Sequence, residues 1–159
     1  MMIHARLLLP ALTALVFLVA PAHAQYQEPG ERSAQARLPQ GQSPLWATLR
    51  QTKIGVDDAR GIFTARFPPP VKALAGKTVS LSGFIMPLDA QSRGTHFLLS
   101  KYTPVCAFCP PGEPNEVVEV RTAKPIAFVE KLVTVTGNFA LENNGEKGLF
   151  FQMSSASVR

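Results

Sequence analysis

Cys106 and Cys109 are the only two cysteines in this 159-residue chain, and a two-residue spacer separates them. That spacing lets both sulfurs face one point, which suits either two metal-ligand bonds or a small disulfide ring. It also suits redox exchange, for which the attacking thiol should open a helix within a βαβ unit. Here Pro110, Pro111 and Gly112 follow the second cysteine. Adjacent prolines prevent a helix from starting normally, and no βαβ pattern surrounds the pair, so a thiol-disulfide redox protein ranks third. An oxidising compartment favours the disulfide, but the ring is so short that its entropic contribution falls at the low end for such bonds. Metal site and disulfide both stay open.

A metal would need more ligands than two thiolates. His96 precedes the Cys loop on an alternating segment, and Glu113 and Glu116 follow the loop. A Cys106, Cys109, His96 and glutamate set would suit zinc. A lone histidine on such a segment is otherwise an exposed or hydrogen-bonded surface residue. Met86 and Met153 offer thioethers, the soft donors that select Cu(I), although both sit in strand patterns where methionine fills core gaps. There is no Gly-x-Ser-x-Gly elbow, no His-Glu-x-x-His and no phosphate-cradling glycine loop. The adjacent Asp57 and Asp58 read as a solvated turn. No residue is assigned a catalytic role, and the expectation is a non-enzymatic protein.

The elements that position these residues are mostly strands. Ser43 and Pro44 introduce Leu45, Trp46 and Leu49 at helical spacing, a hydroxyl cap followed by proline at the first helical position, so a short helix should pack Trp46 onto the core. Gly61 to Phe67 alternates as a strand that Pro68, Pro69 and Pro70 terminate. Val71 to Leu74 adds one helical turn. From Lys77 to Met86 the period is two, with Gly83 marking a bulge or bend in a long first strand. His96 to Ser100 is its hairpin partner across the turn from Asp89 to Gly94, and Val117 to Arg121 is the third strand. Pro125 to Glu130 reads as a short helix. Leu132 to Phe139 and Leu149 to Met153 then flank an Asn143-Asn144-Gly145 turn. Phe84, Phe97, Phe139, Phe150 and Phe151 read as core packing, with Phe150 and Phe151 on opposite faces.

Three strands, a short helix and two more strands, with a glycine-bent first strand, spell a mainly β, five-stranded OB-like barrel. A small open sandwich is the alternative. The barrel domain should run over 43–159, preceded by a tether over 25–42 that is too poor in apolar residues to offset its ordering entropy. The first 24 residues read as a signal peptide: Arg6, an apolar run from Leu7 to Val19, then Ala22-His23-Ala24 for cleavage after Ala24. That run is shorter than the roughly 18 residues a spanning helix needs, and no cysteine stands at the cleavage point for lipid attachment. The mature protein is expected in a bacterial periplasm or outside the cell, without a membrane anchor. The full chain carries a formal charge of +5, and its 16 Lys and Arg are scattered rather than clustered, which argues against a nucleic-acid site.

The stretches LAGKTVSLSGFIMPL, HFLLS, CAFCPPGEPNEVVEV and VTVTGNFAL together resemble the secreted bacterial family called domain of unknown function 3299 (DUF3299), over roughly Trp46 to Met153. Gly76, Gly83, Met86, Pro87, Cys106, Cys109 and Pro110 carry the likeness. The resemblance implies no established activity. Some members resemble components encoded beside an ABC-type transporter in metal-responsive gene clusters, which favours a periplasmic metal-handling or transporter-accessory role. The leading expectation is thus an exported accessory protein that binds Zn through Cys106 and Cys109, aided by His96. The alternative is an interaction domain with a Cys106-Cys109 disulfide, docking on an envelope partner.

Overall fold

The computed structural model describes residues 29–105 and 112–159. The expected leader and its cleavage point, together with Cys106, Cys109 and Pro110, lie outside the described residues. Five strands close into a barrel: β3 (Thr78–Pro87), β4 (Arg93–Ser100), β5 (Val117–Ala127), β6 (Val133–Asn144) and β7 (Leu149–Val158), in the order β3-β4-β5-β7-β6, with β6 pairing back to β3. Every neighbouring pair is antiparallel except β5 and β7, which run parallel. This is the mainly β, OB-like barrel that the strand pattern announces.

Closure depends on one long strand serving two neighbours. Thr78 to Gly83 of β3 pair with β6, and Phe84 to Pro87 pair with β4. Gly83 stands at the handover because a β-carbon there would lie 2.5 Å from the Ser100 carbonyl oxygen and 3.0 Å from the Leu99 side chain. Only glycine lets the strand turn this corner without pushing β4 away. Inside, Leu81, Ile85, Phe97, Leu99, Val118, Val120, Val135 and Phe139 are buried in one cluster. Met86 and Met153 are buried as well, in keeping with a packing role.

The N-terminal elements cover the barrel. Helix α2 (Leu45–Leu49) buries Trp46 and Leu49 as its spacing requires. Its cap differs from expectation: Pro44 occupies the cap position and no side chain caps the helix, the Trp46 amide reaching the Ser43 carbonyl instead. The Trp46 indole donates to the Ser82 carbonyl at 2.7 Å, so burying the ring leaves no orphaned donor. Strands β1 (Lys53–Asp57) and β2 (Ile62–Arg66) form a separate two-stranded hairpin, attached where the Phe63 amide donates to the Gly145 carbonyl. Strand β1 was not legible as a strand because Gly55 interrupts an already mostly exposed segment. Phe67, just beyond β2, lies against both Phe150 and Phe151, which explains why two adjacent residues of one strand are both buried. Helix α3 (Pro69–Lys72) follows.

Two expectations need correction. Pro125 to Glu130 is not a helix between the third and fourth barrel strands: β5 continues to Ala127. A register shift opposite Gly94 and His96 accommodates the proline, and the chain stays extended so that the Phe128 amide can reach the Ser92 carbonyl and its ring can pack on Phe97. The expected tether over 25–42 is, from residue 29, an arm with defined contacts. Helix α1 (Pro29–Gln35) leads it, Gln35 is buried, and Gln40 bridges to Tyr102. Polar groups rather than apolar burial anchor this arm, which is why its composition looked unstructured. Among the described residues, no helix is long and apolar enough to cross a membrane.

Candidate functional site: a clamped loop between β4 and β5

The Cys loop leaves the barrel after β4 and returns before β5, so its two stems are 101–105 and 112–116. Glu113-Pro114-Asn115-Glu116 builds the returning stem as a single 3-10 turn with a capping box: each glutamate side chain is paired with the other's backbone amide. Proline at the first position of that turn costs no hydrogen bond. The turn aims Glu116 inward, where its residue is 1% exposed. A bare carboxylate in that position would be costly, so it must be paired.

The partners come from the arm and from the end of α2. Arg32 Nη2 donates to Glu116 Oε2 at 2.7 Å, and Arg50 Nε lies 3.2 Å from Oε1. The Tyr102 hydroxyl donates to Oε1 at 3.3 Å and the Glu113 amide to Oε2 at 3.1 Å. Arg32 also sits over the Tyr102 ring, 5.5 Å from its centroid, and Lys101 Nζ lies 3.9 Å from the same centroid. Burial alone would lower the Arg32 pKa. The hydrogen bond and charge of Glu116, with the charges of Glu113 and Tyr102, outweigh it and hold the guanidinium above its ordinary value. Gly112 has a φ of +153°, and a β-carbon there would come within 2.9 Å of Glu116 Oε2. The loop therefore returns through a glycine that leaves room for the carboxylate.

Further bonds tie the same stems to the arm. The Gly41 amide donates to the Lys101 carbonyl at 2.7 Å, Lys101 Nζ to Gln40 Oε1 at 2.7 Å, and the Thr103 hydroxyl to the Pro39 carbonyl at 2.6 Å. Gln35 Nε2 donates to the Thr103 carbonyl, and Asn115 Nδ2 reaches the Thr52 carbonyl at 2.9 Å. Polar groups from five positions of the arm, with Arg50 and Thr52 beyond it, thus fix both ends of the loop.

The residues that could complete a metal site are not gathered there. Glu116 is saturated by two arginines, and Glu113 caps the turn and faces Arg32 at 4.0 Å. His96 lies four residues before the end of β4, roughly 13 Å along the strand. Its Nε2 pairs with Glu119 Oε1 at 2.5 Å. Among the described residues, no group of three or more His, Cys, Asp and Glu could hold a metal ion. Sequence reasoning named Glu116 but missed Arg32 and Arg50 as its partners. The one local signal was the Glu-x-x-Glu capping pattern around Pro114, which marks a turn that points a carboxylate back at its own stem.

Barrel and clamp together define the class: an OB-like β-barrel protein whose β4–β5 loop is held by an ion-paired N-terminal arm. The chain belongs to the DUF3299 family, described as proteins of unknown function, whose profile it matches over residues 31–156. The matched region begins inside the arm, so it includes Arg32 and Arg50 as well as the barrel. The chain is also similar to a DUF3299 family protein from Pseudomonas aeruginosa PAO1 whose crystal structure is known. The two share 27% identity with a TM-score of 0.50, over 77% of this chain and 87% of that one. No curated protein matches the sequence.

Proposed function

We propose that this protein works after export as a non-enzymatic periplasmic accessory protein whose Cys106 and Cys109 thiolates hold a soft or borderline ion, zinc before others, in concert with an ABC-type transport system. The observation that carries this reading is the Glu116 clamp, which fixes both stems of the loop that bears the two cysteines. Fixed stems reduce the ordering cost of bringing two sulfurs onto one ion. The same clamp uses up Glu116, and Glu119 engages His96, so these side chains do not close the coordination sphere. Structural zinc sites are closed by four protein ligands, whereas a site with two thiolates keeps positions open. An open site suits an ion received from or passed to a partner.

The test is zinc competition against a chromophoric chelator, with the reduced mature protein and its Cys106→Ser variant. Loss of binding in the variant supports the reading, and equal affinity in both proteins rejects these thiols as ligands. A second reading is favoured by two exposed apolar residues beside the loop, Leu38 at 39% and Val105 at 48% exposure. There the cysteines form a disulfide and the clamped loop is a docking surface for an envelope partner. Mass spectrometry of protein taken from a periplasm without reductant separates the two: a stoichiometric loss of two hydrogens that resists mild reduction selects the second.

A further inference from the structure

The barrel carries a second buried carboxylate whose surroundings differ from those of Glu116. Glu119 lies on β5, its side chain 9% exposed, between His96 of β4 and Gln152 of β7. Its Oε1 accepts from His96 Nε2 at 2.5 Å and from Arg121 Nη2 at 3.0 Å, and its Oε2 accepts from Gln152 Nε2 at 2.9 Å. His96 and Arg121 are direct cross-strand partners, so they stand side by side on one face of the sheet. Their side chains are 35% and 58% exposed. The face between the second and third barrel strands is where OB-like barrels offer ligands a surface.

The chemistry of the trio follows from Glu119. A carboxylate only accepts hydrogen bonds, so His96 donates from Nε2, and in the neutral imidazole of that tautomer the lone pair lies on Nδ1. Arg121 spends Nη2 on Glu119. Among the described residues its Nε and Nη1 have no acceptor. A fixed acceptor therefore stands beside a fixed donor fork, and both are oriented by one buried group. The complement is a small ligand carrying O–H and O⁻ on a single centre. Hydrogen phosphate has both, whereas sulfate and a carboxylate lack the proton at neutral pH.

We propose that His96 and Arg121, oriented by Glu119, form a binding site for the hydrogen phosphate ion on the outer face of β4 and β5. Arg121 donates to an unprotonated phosphate oxygen, and His96 Nδ1 accepts from the P–OH group. A phosphate monoester at about pH 7.5 is largely without that proton, its second pKa being about 6, so it binds more weakly than the free ion.

Removing the leader leaves His96 as the one histidine of the chain, which gives a single imidazole signal to follow by nitrogen-15 NMR. The full mature protein is titrated with inorganic phosphate, with sulfate at matched ionic strength and with glycerol 3-phosphate, and the phosphate series is repeated on Arg121→Gln. The expected result is a saturable shift with phosphate, little with sulfate, a weaker response to glycerol 3-phosphate, and about a tenfold or greater loss of phosphate affinity in the variant. Arg121 is exposed enough for the variant to fold. No saturable shift, an equal response to sulfate, or unchanged affinity in Arg121→Gln would each overturn the assignment.

Discussion

Glu116 and Glu119 are three residues apart, both buried, and each faces arginine, yet they hold the molecule in different ways. Glu116 precedes β5, its own backbone bonded to the Lys101 amide and the Glu113 carbonyl, and its side chain draws partners from distant segments, Arg32 being 84 residues away in sequence. Glu119 sits within the ladder, its backbone already registered against Leu98 on one side and Gln152 on the other. For Glu116 the ion pairs join the loop stem to the N-terminal segments that cover the barrel. For Glu119 the sheet holds the backbone, and the side-chain network only orients His96 and Arg121 at the surface. A buried carboxylate is therefore a staple or a display device according to whether its partners lie on a distant segment or on the same sheet.

The largest expected effect separates these roles. Glu116→Ala leaves Arg32 and Arg50 facing one another without their carboxylate. Removing one member of a buried pair costs about 3 to 5 kcal/mol, and because both arginines reach water, about 2 to 3 kcal/mol is expected in urea unfolding. Limited proteolysis should then cut first within residues 29–52. If the variant loses no more stability than a Glu119 variant, and the arm stays protected, the contrast between the two sites is wrong.

Arg32→Ala comes next, at about 1 to 2 kcal/mol for a charge-assisted bond, and should exceed Arg50→Ala because Arg32 is the closer and less exposed partner and also stacks on Tyr102. Its pKa is raised in the folded protein. A raised pKa contributes stability that is fully present below the unfolded value and is lost only as pH climbs through the folded one. Both lie far above neutrality for a guanidinium. Stability differences between the parent and Arg32→Ala should thus stay flat between about pH 6 and 9. A difference that falls away as pH rises across that interval would mean that some other group supplies the effect.

How much of this was legible beforehand follows the same division. Strands β3, β4, β6 and β7, the glycine corner at Gly83 and the Trp46 helix could be read because side-chain period and turn residues are local signals. So could the barrel itself, from the order of those strands. Pro125 misled because its fixed φ suits a helix start as well as an extended segment, and only the pull of Phe97 on Phe128, distant in sequence, decides between them. The arm was illegible for a different reason. It is held by charges and amides that meet the Cys-loop stems, and no periodicity in 29–42 encodes a partner so far along the chain. The candidate site was half legible: Glu116 was named as a candidate ligand and His96 as either a ligand or a hydrogen-bonded surface residue, but not their partners, which lie on other elements.

The smallest expected effects fall on Glu119 and its donors, and they sharpen the contrast most. Glu119→Gln keeps the shape and loses the charge. His96 and Arg121 then lose a strong acceptor, but both already touch water, so about 1 kcal/mol is expected. Arg121→Gln should change stability by less than about 0.5 kcal/mol, as surface ion pairs usually do. Yet the imidazole signal of His96 should shift in both variants, because each alters what Glu119 Oε1 receives. A residue that moves a neighbour's spectrum without moving the unfolding midpoint is positioned for something other than holding the barrel together. Were Arg121→Gln instead to cost as much as Arg32→Ala, the β4–β5 face would be a second staple and the difference between the two glutamates would reduce to depth of burial.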